Sequence, residues 1–161
     1  MSNILNKKDN SVIIILDNIR SLSNIGSIFR TCDAFNIDRI ILSGICGKPP
    51  HREISKTALG ADDFVTWEYY KNIQTPIKKL INKGYEIISI EQTQTSIFLK
   101  DYTPKNKVAF IFGNEVKGVS KESLELSDLN VEIRQYGKKK SMNVTICAGI
   151  VLWDFYQKKR A

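Results

Sequence analysis

Apolar and polar positions along this chain fall into two alternating rhythms. Val12 to Leu16, Arg39 to Ser43, Tyr85 to Ile90 and Val108 to Phe112 are short runs rich in β-branched residues. Runs with apolar residues on both faces suit central parallel strands covered by helices on two sides. From Asn24 to Phe35 the period changes: Ile25, Ile28, Phe29, Cys32 and Phe35 form the stripe of an amphipathic helix, with Ser23 or Asn24 available as its cap. Further strands are expected at Phe64 to Trp67 and Val131 to Ile133. Helices are expected around Ile54 to Leu59, over Tyr70 to Lys83 with Pro76 near its first turns and Gly84 as its stop, and near Ser120 to Leu126.

The last helix, Met142 to Gln157, differs from the others. Val144, Ile146, Cys147, Ala148, Ile150, Val151, Leu152, Trp153, Phe155 and Tyr156 leave it almost no polar stripe. It is covered either within the monomer or, on one face, by a second copy across a symmetric dimer. With strand and helix signals alternating and no repeat or linker between them, the pattern predicts one α/β domain over residues 1–161, built around a mostly parallel sheet with helices on both faces.

Composition adds a partner class. The 161 residues carry 24 Lys and Arg against 17 Asp and Glu, a net charge of +7, with 42% hydrophobic residues. That apolar content excludes a disordered chain. The positive surplus on a folded domain points to a polyanion, a nucleic acid or an acidic membrane surface. The polar start MSNILNKKDNS and the five-residue run after it are too short for a signal sequence or a span, so the chain reads as soluble and cytoplasmic, without a membrane association. Cys32, Cys46 and Cys147 are odd in number and form no CxxC pair, so they are expected to be reduced thiols rather than disulfides or zinc ligands.

Ligands of parallel α/β sheets bind at the carboxyl ends of the strands, so the loops there are the places to search. The first, after Leu16, carries Asn18, Arg20, Asn24 and, one to two helical turns on, Arg30. The second carries Gly113, Asn114, Glu115 and Gly118, with two glycines that permit close backbone approach. The third runs from Tyr136 to Asn143 through Lys138, Lys139 and Lys140 to Ser141. Each has a plainer alternative. Arg30 could be a solvated residue on a polar helix face, Ser141 and Asn143 could cap the last helix, and the lysines could be a solvated run. Glu115 has no evident packing role. His51 is the one histidine, and no Ser-His-Asp, paired-carboxylate, Walker, dinucleotide or metal-ligand spacing is present.

Taken in order, NIGSIFRTCDAF at 24–35, IFGNEVKGVS at 111–120 and the stretch from Ile133 through SMNV at 141–144 resemble the SpoU (TrmH-like) family of RNA ribose 2′-O-methyltransferases, within the SPOUT superfamily. The segment GICGKPPHREISKTALGA at 44–61 is similar to one common in its stand-alone members. The resemblance implies a C-terminal trefoil knot that binds S-adenosylmethionine, and a homodimer whose active site draws on both chains. It overrides the general rarity of threaded chains, and it favours the dimer reading of the last helix.

By position, the resemblance puts the cofactor against Ile90, Gly113, Ile133, Ser141 and Met142, and the catalytic set on Asn24, Arg30, Glu115, Ser141 and Asn143. Arg30 would then orient a phosphate and stabilise the developing alkoxide, since a guanidinium is not deprotonated in proteins. Asn24 would position the ribose or Arg30, and Glu115 would hold Arg30 or its own loop. The expected substrate is structured RNA, with tRNA favoured over rRNA, and the alternative is a non-catalytic basic α/β RNA-binding module. Two features depart from the family. Lysines stand where many members place an acid before the serine of the third motif, and the chain is expected to lack the N-terminal RNA-binding extension of larger members.

Overall fold

The computed structural model of the chain describes residues 10–160; residues 1–9 and 161, and with them the ends of the expected domain and the question of an extension, lie outside the described residues. The element order is β1 (Ser11–Asp17), α1 (Leu22–Ala34), β2 (Arg39–Ser43), α2 (Arg52–Ala58), α3 (Ala61–Phe64), β3 (Trp67–Tyr70), α4 (Gln74–Asn82), β4 (Glu86–Ile90), β5 (Ile97–Phe98), a 3₁₀ turn (Leu99–Asp101), β6 (Lys107–Gly113), α5 (Lys121–Leu126), β7 (Leu129–Glu132) and α6 (Val144–Arg160). The strands form one sheet in the order β3-β2-β1-β6-β4-β7-β5, and every pairing is parallel.

Why Val12 to Leu16 of β1 are all apolar is visible in the strand's two faces. Val12, Ile14 and Leu16 point into a cluster with Ile25, Ile28 and Phe29 of α1 and Ala148, Val151, Leu152 and Phe155 of α6. Ile13 and Ile15 point to the other side, against Ile77 and Leu80 of α4, with Leu124 of α5 packed on the same cluster. Fully burying each such side chain contributes roughly 1.5–3 kcal/mol. On the α6 face, Phe155 meets Phe110 edge-on at 6.1 Å and Tyr156 stacks on Phe35 at 5.7 Å.

Several expected boundaries shift, each for a local reason. Phe64 to Trp67 is not a strand. Leu59 and Gly60 take left-handed backbone, Ala61–Phe64 forms a short helix, and the strand begins at Trp67, whose partner is Ile40. Helix α4 starts at Gln74 rather than Tyr70, because Tyr70 is the last rung of β3 against Ser43. Helix α1 is capped by Ser21, whose hydroxyl accepts from the Asn24 amide, and not by Ser23 or Asn24. Strand β7 lies at Leu129–Glu132, and the two-residue strand β5 carries no readable signal of its own.

The placement of β7 matters most. It pairs with β4 on one side and β5 on the other, although β4 and β5 are neighbours in sequence. The connection between them therefore has to cross the strand inserted later, which is the kind of interleaving that a knotted C-terminal segment requires. The end of α6 is tied back to that region. Lys158 Nζ donates to the carbonyls of Leu99 and, at 2.8 Å, Tyr102, and Lys159 Nζ donates to Pro104 at 2.7 Å.

The sheet's two central strands end level, Asp17 opposite Gly113. Asp17 is fully buried, and its carboxylate accepts from Ser120 N and Ser123 Oγ, each at 2.8 Å, and from Asn18 Nδ2 at 2.9 Å. Those bonds fasten the segment after β6 to the end of β1. Removing the acceptor leaves buried donors unpaired, so Asp17→Ala is expected to lower stability by about 1–3 kcal/mol; urea unfolding followed by circular dichroism measures it.

Candidate active site

The three loops singled out in the sequence follow β1, β6 and β7 and meet at the carboxyl edge of the sheet. The chain leaves β1 at Asn18, which sits in the left-handed region at φ +57°. Its Oδ1 accepts from Ile45 N at 3.1 Å, and its backbone carbonyl accepts from Asn114 Nδ2 at 2.7 Å. Asn18 and Asn114 thus join the loops after β1, β2 and β6. Short side chains that bond to nearby backbone are suited to this task.

Glu115 does have a structural role, one that periodicity could not disclose. Its Oε2 accepts from Arg20 N at 3.0 Å, and its Oε1 accepts from Ser21 N at 3.0 Å and Asn24 Nδ2 at 3.1 Å. The carboxylate therefore faces the amino end of α1, where unpaired amides and the helix dipole favour negative charge. Partial burial by itself would raise the Glu115 pKa, but donations from Arg20, its own amide, Ser21 and Asn24 outweigh that and hold it below the usual value. Of the two partners considered for Glu115, its loop and Arg30, these bonds serve the loop and α1. They also orient Asn24, because a carboxylate only accepts, which brings the amide nitrogen to Glu115 and turns Oδ1 away.

The glycines of the second loop are needed for close approach. A Cβ on Gly113 would lie 2.1 Å from Val119 N and 2.2 Å from Gly118 C; one on Gly118, at φ +74°, would lie 2.3 Å from Glu91 Oε2. Glu91 occupies that space with purpose: its Oε2 accepts from Val119 N at 2.8 Å and its Oε1 from Gln92 N at 2.9 Å. In the third loop, Asn143 Oδ1 accepts from Thr145 N at 2.8 Å and Thr145 Oγ1 at 2.7 Å, so it caps α6.

These loops enclose a cavity of about 700 Å³. Asn24, Ile90, Gly113, Glu115, Ile133, Ser141, Met142 and Asn143 all line it, as does Lys140 of the third loop; so do Glu91, Phe112, Leu124, Glu132 and Cys147, which the sequence did not point to as site residues. For Glu91 a signal was available: it directly follows β4, at a carboxyl end. Arg30 is the exception. It is exposed and outside the cavity wall, about 9 Å along α1 from Asn24 and about 120° around it. Burial pushes the Cys147 thiol up to about 11, so it stays protonated near neutral pH and is a poor nucleophile. Cys32 and Cys46 are buried and free. His51 is used as the cap of α2, its Nδ1 accepting from Glu53 N at 3.1 Å. Among the described residues no group of three or more His, Cys, Asp or Glu is placed to hold a metal ion, and no helix is long and apolar enough to cross a membrane.

The model of the family described as "SpoU rRNA Methylase family" matches residues 11–153. The chain belongs to this family. Among the relatives of this SpoU chain, the tRNA (guanosine(18)-2′-O)-methyltransferase of Aquifex aeolicus is 26% identical over 97% of the chain and 74% of the relative. A protein of Borreliella burgdorferi named an uncharacterized tRNA/rRNA methyltransferase is 34% identical over 92% of the chain and 64% of the relative. In fold, the chain is similar to the SpoU methyltransferase AviRb of Streptomyces viridochromogenes, solved in complex with AdoMet, with a TM-score of 0.88 at 18% identity over 95% of this chain and 59% of that one.

Two outcomes follow from the geometry of this SpoU site. Gly113→Ala is expected to displace the 114–119 loop and to weaken binding of S-adenosylhomocysteine about 10-fold or more while the fold persists, as read by calorimetry beside circular dichroism. The depressed Glu115 pKa makes its tie to α1 fully present above the ordinary glutamate value of about 4.3 and lost as pH falls through the lower folded value. A carbon-detected NMR titration of Glu115 that returns an ordinary or raised midpoint contradicts the arrangement.

Proposed function

We propose that this chain is an S-adenosylmethionine-dependent methyltransferase that acts on the ribose 2′-hydroxyl of structured RNA. The observation that carries the reading is the convergence of all three motif loops on one cavity, with Asn24, Glu115, Ser141 and Asn143 in its wall. A non-catalytic RNA-binding module has no need to assemble that set.

The cavity fits the cofactor. Its volume lies within the range of small-molecule sites, roughly 300–1,000 Å³. Ile90, Phe112, Ile133, Met142 and Val144 offer an apolar wall for an adenine, while Glu91, Glu115 and Glu132 put carboxylates near a cationic ligand. When bound, that group supplies a methyl carbon on a sulfonium, open to in-line attack by an oxygen. The chain's own residues place the oxygen. Asn24, held by Glu115, presents its Oδ1 to a ribose hydroxyl, and Ser141 and the capped Asn143 shape the other side. Much of the acceleration in such a reaction comes from holding the reacting atoms in line.

Arg30 is not among the residues that line the cavity of its own chain. Its proposed part, orienting a phosphate and stabilising the developing alkoxide, is met if a second copy brings it to the site. The exposed apolar residues of α6, Ile146 at 56% and Trp153 at 58%, supply a face for such a homodimer. Exposed Arg52 and Lys56, together with Lys138, Lys139 and Lys140, give the RNA phosphates a path. We favour tRNA over rRNA because the Aquifex aeolicus relative, of which the chain covers 74%, is named a tRNA methyltransferase.

The test is incubation of the purified protein with radiolabelled S-adenosylmethionine and separate tRNA and rRNA pools from cells lacking it, followed by mapping of methylated ribose. Label in one pool at a 2′-hydroxyl supports the reading. No label in either, with cofactor binding confirmed by calorimetry, sinks it. Arg30→Ala is expected to reduce turnover about 100-fold or more with little change in cofactor affinity, and a large loss of cofactor binding would show that its role is misassigned.

A further inference from the structure

We infer that Tyr136 is a base-stacking platform for the RNA at the mouth of the cavity, a substrate-contacting residue that nothing in the motif set assigns. The inference rests on the RNA reading above and names the residue that would hold a nucleobase beside the reacting ribose. Tyr136 is 88% exposed, in the loop between β7 and α6. A ring so open to water contributes little to a core, and it needs another reason to be held where it is.

It is held. The Arg134 guanidinium carbon lies 5.5 Å from the Tyr136 ring centroid and 5.1 Å from that of Phe98 on β5. A guanidinium near both rings couples the loop aromatic to the sheet edge through cation–π contact, and leaves much of the tyrosine ring free to receive a base. On either side of it in sequence, Gln135 and Lys140 line the cavity, and Lys138, Lys139 and Lys140 are exposed. An aromatic face set among cations is the combination that captures nucleic acid by backbone charge and base stacking together.

The other exposed aromatics lack this setting. Phe64, 81% exposed, directly follows Asp62 and Asp63, whose charge repels phosphate. Trp153 shares a helix face with Ile146, an apolar pairing that fits contact with protein.

The experiment compares Tyr136→Ala, Tyr136→Phe and Tyr136→Trp with the unaltered protein, using bulk tRNA and rRNA as substrates and S-adenosylhomocysteine as the cofactor probe. Tyr136→Ala is expected to raise the KM for the methylated RNA about 10-fold, with kcat, cofactor affinity and sedimentation little changed. Tyr136→Phe restores the KM, because stacking needs the ring and not the hydroxyl. Tyr136→Trp gains an emission that RNA quenches beyond the change given by Trp67 and Trp153 in the unaltered protein. An unchanged KM in Tyr136→Ala, in a protein that does methylate RNA, overturns the platform and leaves the enzymatic reading intact. If the unaltered protein neither binds nor methylates either RNA pool, the RNA reading falls and the platform with it. A shift in self-association without a change in RNA affinity assigns the ring to contact between copies and also overturns the inference.

Discussion

A carboxylate sealed from water must find its donors inside the protein, and Asp17 finds them in the segment that follows β6 and in its own neighbour Asn18. The bonds from Ser120 and Ser123 fasten the second motif loop to the end of the first strand, while the parallel ladder between β1 and β6 sets the height at which both loops emerge. Every later feature of the site is measured from that level edge.

Two further acids act on the same loop. Glu91 accepts from Val119, and Glu115 reaches back to the start of α1. Asp17 at the end of β1 and Glu91 after β4 thus hold one short glycine-bearing segment through its backbone amides, and the segment's own Glu115 ties it to the amides at the start of α1; hydrogen bonds to an ionised acceptor are stronger than those between neutral groups. The part of the cavity wall built from Asn24 and the 113–119 segment is fixed in this way, so a ligand meets that part already ordered. The third loop is more lightly held, by the Asn143 cap at one end and the continuation of β7 at the other. It also carries the most positive charge of the three, in Arg134 and Lys138 to Lys140.

Much of the fold was legible because its signals are local. Val12 to Leu16 and Val108 to Phe112 declare themselves as central strands by having no polar face, and α1 by its stripe from Ile25 to Cys32. The misplacements fall where local signals compete. Phe64 looks like the start of a strand but follows two acids and a left-handed glycine, so it ends a short helix instead. Strand β5 is two residues long, too short for any period to show, and exists only because β7 offers it an edge. In the site, glycine spacing and the position after a strand pointed to Gly113 and Glu115, and the family resemblance to Ile90, whereas the cap that Glu115 provides to a helix some ninety residues earlier has no sequence signature.

By itself the sequence determined the alternation of strands and helices, the parallel sheet, the three loops that carry chemistry and, through their order, the family. Those properties depend on residues close together in the chain, where hydrophobic period and turn chemistry act. Only the tertiary structure decided that β7 enters between β4 and β5, that Asp17 and Glu91 grip the loop from which Glu115 reaches α1, and that Arg30 stands outside the cavity its motif partners share. These are matters of contact between distant segments, and contact is settled by packing and by the pairing of buried polar groups. A one-dimensional pattern does not encode either.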